Sequence, residues 1–109
     1  METYLVYVTA SDTDEAGRIG RQVVEARLAA CANILAPMQS IYWWQGQIEE
    51  AVEAVLILKT KQPLLEDLIE RVRQLHSYQC PCIVALPIAA GNPAYLEWIE
   101  NEASAKSSS

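Results

Sequence analysis

The sequence predicts an α+β domain in which helices cover one antiparallel sheet. Four short runs are rich in β-branched and aromatic residues, and two amphipathic segments with helical spacing lie between them. Gln45-Gly46 joins the two middle runs as a hairpin turn. With 109 residues, of which 51% are hydrophobic and 20% charged, the chain is long enough for one globular domain and too short for two.

The first strand and helix are predicted from an apolar run and the cap that follows it. Residues 4–10 are apolar and β-rich, which indicates a buried strand. Asp12 is a suitable N-cap, and Glu15, three residues later, completes a capping box. A helix is therefore expected over residues 13–30. Its apolar face consists of Ala16, Ile19, Val23, Val24 and Leu28.

The next two strands, at residues 32–44 and 48–60, are predicted to form an unusually long hairpin. Pro37 interrupts the first of them, and because proline cannot donate to a ladder, it implies a bulge, a kink or an edge position. Fully extended, residues 34–44 would reach about 36 Å. A compact domain of this length has a radius of gyration of about 13 Å. The hairpin should therefore span or overhang the whole domain.

The second half of the chain repeats the helix–strand pattern. An apolar stripe over residues 64–75 predicts a helix with Pro63 in its first turn. A fully apolar strand is expected at residues 82–87, and Asn92-Pro93 caps a last helix at residues 94–101. The order βαββαβ plus a C-terminal helix is the ferredoxin-like pattern, an antiparallel sheet with two helices on one face.

Aromatic residues are concentrated where a monomer would leave them in water. Tyr42, Trp43 and Trp44 form the hairpin tip, and Tyr95 and Trp98 lie on the last helix. These aromatics could fold back on their own sheet. A long apolar edge also invites pairing with another chain, and we expect the five to form an oligomer interface.

Charge and cysteine content restrict the partners and the compartment. The formal net charge of −6 disfavours nucleic-acid phosphates and anionic membrane surfaces, so neither partner is expected. An RNA-binding domain of this topology would need aromatics on its central strands, and residues 51–58 contain none. Three cysteines and an N-terminus without a basic segment favour the reducing cytoplasm.

Five motifs, in order along residues 4–100, resemble the CutA family. The motifs are EARLAACAN (residues 25–33), SIYWWQGQIE (40–49), LKT (58–60), HSYQCP (76–81) and YLEWI (95–99). The resemblance implies a ferredoxin-like fold and a homotrimer built by the long hairpins, with an architecture like that of the PII signalling proteins. It also implies a link to tolerance of copper and other divalent metals. Residues 1–102 would then be one CutA-like domain, and residues 103–109 a disordered tail.

The chain departs from the family pattern at three positions. Ser77 replaces the proline of a His-Pro-Tyr motif, and Cys82 stands where many relatives carry glutamate. Val8 occupies a first-strand position that is cysteine in some relatives. The metal-ligand set proposed for some relatives is therefore only partly present.

His76, Cys80 and Cys82 are the candidate metal ligands. Thiolates with an imidazole suit Cu(I) or Zn(II), and in extended chain both cysteines would point to one face. The alternative is that Cys82 is simply a buried residue that begins an apolar strand, and Cys31 a small packed one. We expect at most weak, thiol-dependent binding of Cu(I) or Zn(II), and no required cofactor.

Catalytic signatures are weak, so we do not expect an enzyme. His76 is the only histidine, and the four glycines form no phosphate-binding loop. The acidic residues Glu49, Glu50 and Glu53 are predicted to form a solvated face. Two functions remain open. The first is a trimer that binds a metal ion or small ligand between its subunits, and the second is a trimeric scaffold that organises other proteins without metal.

Overall fold

The computed structural model describes residues 2–105. Its elements, in chain order, are β1 Thr3–Ala10, α1 Thr13–Glu25, β2 Cys31–Trp44, β3 Gln47–Lys61, α2 Leu65–Leu75, β4 Ile83–Pro87 and α3 Pro93–Glu102. A short 3-10 helix, Gln62–Leu64, precedes α2. All four strands begin and end within one residue of the predicted limits. No helix in this part of the chain is both long enough and apolar enough to cross a bilayer.

The four strands form one antiparallel sheet in the order β2-β3-β1-β4. This order and the βαββαβ connectivity confirm the predicted ferredoxin-like α+β fold. The core lies between α1, α2 and one face of the sheet, where Val6, Val8, Ile19, Leu56 and Leu68 are completely buried. We call the opposite side of the sheet the open face.

Helix α1 begins as predicted but ends five residues early. The backbone N–H of Glu15 donates to Asp12 Oδ1 at 2.9 Å, which confirms the N-cap. The helix stops at Glu25 because Arg27 adopts a left-handed conformation with φ of 63°. The N–H groups of Arg27 and Leu28 then donate to Val24 and Val23 carbonyls, which is a Schellman ending.

The hairpin of β2 and β3 extends well beyond the helices. The pairing shifts register between Leu35 and Met38, so Pro37 marks a bulge on an edge strand, two of the three possibilities expected for it. The longest dimension of the chain is 43 Å, against 30 and 23 Å in the other two directions. We call residues 39–52 the outer hairpin. It carries half of the exposed large apolar side chains of the described residues.

Part of the segment predicted to be a disordered tail packs on the domain. Ala103 is completely buried, and the N–H of Ala105 donates to the Arg27 carbonyl at 3.0 Å. Arg27 also binds the Glu102 carboxylate at 2.6 Å, so this contact joins the end of α3 to the end of α1. Residues 106–109, the rest of that segment, lie outside the described residues.

Candidate functional site

A cleft of about 700 Å³ lies on the open face, between the hairpin and the loop that precedes β4. We call it the hairpin cleft. Tyr7 and Thr9 of β1 form its floor, Glu53 of β3 lines one side, and the segments 38–42 and 78–80 line the others.

The aromatic tip is divided between two faces. Tyr42 and Trp44 line the hairpin cleft, whereas Trp43 points to the opposite face and is 71% exposed. Tyr95 and Trp98 stack on each other with ring centroids 5.5 Å apart and remain 40% exposed. All five residues predicted to form an interface are therefore accessible in the single chain.

The structure brings two of the three predicted metal ligands to one place. Cys80 and Cys82 both line the hairpin cleft and are exposed, so the alternative that Cys82 is buried is wrong. Cys82 precedes β4, and its carbonyl accepts the Thr9 N–H at 3.3 Å. No group of three or more His, Cys, Asp or Glu residues within residues 2–105 is arranged to hold a metal ion.

His76 is held away from the cleft by the backbone. Its Nε2 lies 2.6 Å from the Thr9 carbonyl, and its Nδ1 accepts the Tyr78 N–H at 3.1 Å. A carbonyl can only accept, so Nε2 carries the hydrogen and the Nδ1 lone pair is already used. The ring is 9% exposed. In this arrangement His76 fixes the loop and has no lone pair free for a metal ion.

Glu15 fixes the same loop from the other side, a role that the sequence analysis missed. One carboxylate oxygen accepts the Ser11 N–H at 3.0 Å, and the other accepts the Ser77 N–H at 2.9 Å. Burial raises the pKa of this carboxyl, but the hydrogen bonds from Ser11 and Ser77 outweigh it and lower the pKa to about 2. The capping-box position of Glu15 predicted a contact near the start of α1, which the bond from Ser11 provides. The bond from Ser77, in the loop after α2, was not predicted.

Glu53 was predicted to belong to a solvated acidic face, and that prediction is wrong. Its side chain is only 8% exposed, and Oε2 accepts the Tyr78 hydroxyl at 2.7 Å. Burial, and then the bond to Glu53, raise the pKa of Tyr78, so the phenol stays protonated as the donor. The burial of Glu53 could have been predicted from its position next to residues 54–58, which are all apolar.

A second polar cluster lies at the base of the hairpin. Lys59 Nζ donates to the Tyr95 hydroxyl at 3.0 Å and to Asn33 Oδ1 at 3.1 Å. Cys31, predicted to be a small packed residue, is half-buried with Sγ 3.7 Å from the Tyr95 hydroxyl. The hydrogen bond to Tyr95 raises the pKa of Lys59. This cluster fixes Tyr95 and thereby the aromatic pair on α3.

Known proteins share both the sequence and the fold of this chain. A divalent-cation tolerance protein CutA from Thermus thermophilus is 46% identical over 95 residues, which cover 87% of this chain and 92% of that protein. The chloroplastic CutA 1 protein of rice is 41% identical over 97 residues, covering 89% of this chain. The alignment spans 55% of the rice protein, about half its length.

Solved structures agree with the sequence comparison. The crystal structure of CutA from Xylella fastidiosa superposes with a TM-score of 0.92 and 38% identity, covering 95% of this chain and all of that one. The family model described as CutA1 divalent ion tolerance protein matches residues 4–102, from the first strand to the end of α3. The chain therefore belongs to the CutA1 divalent ion tolerance family.

Proposed function

We propose that this chain works as a homotrimer in the response to metal ions, with the hairpin cleft as its ligand site. The observation that carries the proposal is the outer hairpin, which presents large apolar side chains that its own domain does not cover. Membership of the divalent ion tolerance family supplies the link to metal.

One face of the outer hairpin is apolar and highly exposed. Cross-strand pairing sets Trp43 opposite Ile48, and Ile41 and Val52 lie on the same face. These four side chains are 60–71% exposed. Removing apolar surface from water contributes roughly 25 cal/mol per Å². Contact with another copy of the chain would therefore be strongly favourable.

The open face of the sheet carries a second apolar surface. Leu86 and Val84 pair with Leu5 and Tyr7 of β1 and are about half exposed, at 50% and 48%. Leu35, near the bulge of β2, is 60% exposed. Exposed patches of this extent, flanked by polar residues, are typical of protein interfaces. Two apolar surfaces at different places on one chain suit a ring in which each copy contacts two others.

We further propose that the hairpin cleft binds soft metal ions weakly through Cys80 and Cys82. Both thiols are free and exposed, and the Met38 thioether lines the same cleft. Soft sulfur ligands favour Cu(I), and a closed zinc site needs four ligands. Binding should weaken as the pH falls because the thiols must lose their protons. Free thiols also support a reducing location, which we propose is the cytoplasm.

A Cu(I) titration with competition from a chromogenic chelator tests this site. The parent protein should bind at a defined stoichiometry, and the Cys80→Ser/Cys82→Ser variant should bind at least about tenfold more weakly. Cys31→Ser is the matched control, because Cys31 lies outside the cleft, and it should bind like the parent. Equal binding by the double variant, or no saturable binding, would favour the metal-independent scaffold.

A further inference from the structure

The hairpin cleft has an unusual combination of charge and aromatic surface. Among the described residues that line it, Glu53 is the only acidic side chain, and none is lysine, arginine or histidine. Four aromatic rings surround it, contributed by Tyr7, Tyr42, Trp44 and Tyr78. The formal charge of the lining is therefore negative, and aromatic side chains, whose faces carry negative potential, make up much of the lining.

Within residues 2–105, no lysine, arginine or histidine forms an ion pair with the Glu53 carboxylate. A carboxylate this deeply buried is normally paired with a cation. Here its hydrogen bond within residues 2–105 comes from the Tyr78 hydroxyl, which satisfies Oε2 but leaves the negative charge in place. Glu53 lines the cleft, and no buried side-chain polar atom within residues 2–105 is left without a partner, which is consistent with an Oε1 that faces the cleft. This oxygen can accept a hydrogen bond from a ligand.

We propose that the hairpin cleft binds an organic ammonium ion, an alkylamine whose N–H donates to Glu53 and whose chain packs against the rings of Tyr42 and Trp44. An ammonium ion neutralises the carboxylate and is attracted by aromatic faces. The cleft, at about 700 Å³, has the size of a small-molecule site and is much larger than a metal ion. A phosphate or carboxylate ligand would meet an unpaired negative charge instead.

The inference rests on the proposed use of the cleft as a ligand site, but it does not require metal. Cys80 and Cys82 belong to the segment before β4 and Glu53 belongs to β3, so the two ligands depend on different side chains. A failure of copper binding would leave the amine site intact. The assembled protein is used for the test, and its mass is measured in the same sample.

Isothermal titration of the parent protein with n-hexylamine and with 1-hexanol provides the test. The two probes have nearly the same shape, and only the amine is charged at pH 7. The amine should bind at least about tenfold more tightly, because the charge is recognised as well as the chain. Equal affinity, or no binding of the amine, would overturn the proposal even if the protein is a trimer that binds Cu(I).

Variants identify the groups responsible. Glu53→Gln keeps the shape of the side chain and removes its charge, so the amine should lose its preference over the alcohol. Glu50→Gln is the matched control on the same strand, outside the cleft, and should behave like the parent. Persistence of the preference in Glu53→Gln would contradict the assignment.

A second variant tests the same site even if Glu53→Gln does not fold. Trp44→Leu removes one ring while leaving the carboxylate in place. The amine should then lose several-fold in affinity while the alcohol loses less, since a neutral probe gains little from the ring quadrupole. An equal loss for both probes would show that Trp44 provides contact area alone and would contradict the role of the rings.

Discussion

The two halves of strand β3 lie in opposite environments. Leu56 and Leu58, in the half beneath α1 and α2, are completely buried. Ile48 and Val52, on the same face of the same strand, are 60% and 68% exposed. The apolar pattern is similar in both halves, so the pattern alone does not determine what covers it. The helices end before the hairpin does, and a second chain is the cover that we propose.

Isoleucine-to-alanine substitutions in the helix-covered core and in the outer hairpin should have the largest and most distinct effects. Ile19→Ala removes a completely buried side chain and should lower the free energy of unfolding by about 2–5 kcal/mol at any protein concentration. Ile48→Ala removes one that is 60% exposed in the single chain. Its effect should depend on concentration, because it weakens assembly. Urea unfolding at two concentrations would distinguish them, and a concentration-independent loss in both would contradict the comparison.

The two tryptophans of the hairpin tip sharpen the comparison between its faces. Trp43→Ala should weaken assembly by about 2 kcal/mol. The Trp43 ring is 71% exposed in the single chain, and the substitution would remove its proposed contact with another copy. Trp44→Ala should have a smaller effect, since that ring is 43% exposed and lines the cleft. Dissociation on dilution measures assembly, and far-ultraviolet circular dichroism measures the fold. If both variants lose helix and strand content along with assembly, the tip is part of the fold rather than an interface.

Acid should act on the helix-covered half through Glu15. Its folded pKa of about 2 lies below the ordinary value of 4.5, so its contribution to stability is complete above pH 4.5 and is lost as the pH falls towards 2. The loss should be on the order of 3 kcal/mol. Glu15→Gln should remove most of this pH dependence, whereas Glu97→Gln, on an exposed position of α3, should leave it unchanged. An unchanged acid profile in Glu15→Gln would show that other carboxylates determine it.

Local chemistry explains which elements could be predicted from the sequence. The strands, the Asp12 cap and the bulge at Pro37 each depend on residues within a few positions of one another, and all are observed. The end of α1 could not be predicted, because the left-handed residue is Arg27 rather than glycine. Arg27 is held there by Glu102 and by the N–H of Ala105, about 75 positions away along the chain.

The site was harder to predict because its key contacts are distant in sequence. His76 was a reasonable metal ligand until the fold placed its Nε2 against the carbonyl of Thr9, 67 residues earlier. Glu53 looked like part of a solvated run, and it is buried because Tyr78, 25 residues later, covers and binds its carboxylate. The spacing of Cys80 and Cys82 predicted that both side chains point to one face, and both line the same cleft.

The mass of the protein in solution tests the central claim most directly, namely that the outer hairpin is covered by other copies of the chain. Multi-angle light scattering at micromolar concentration should give about 36 kDa, which is three times the 12.1 kDa of one chain. A mass of 12.1 kDa under the same conditions would mean that water covers the outer hairpin and would contradict the account.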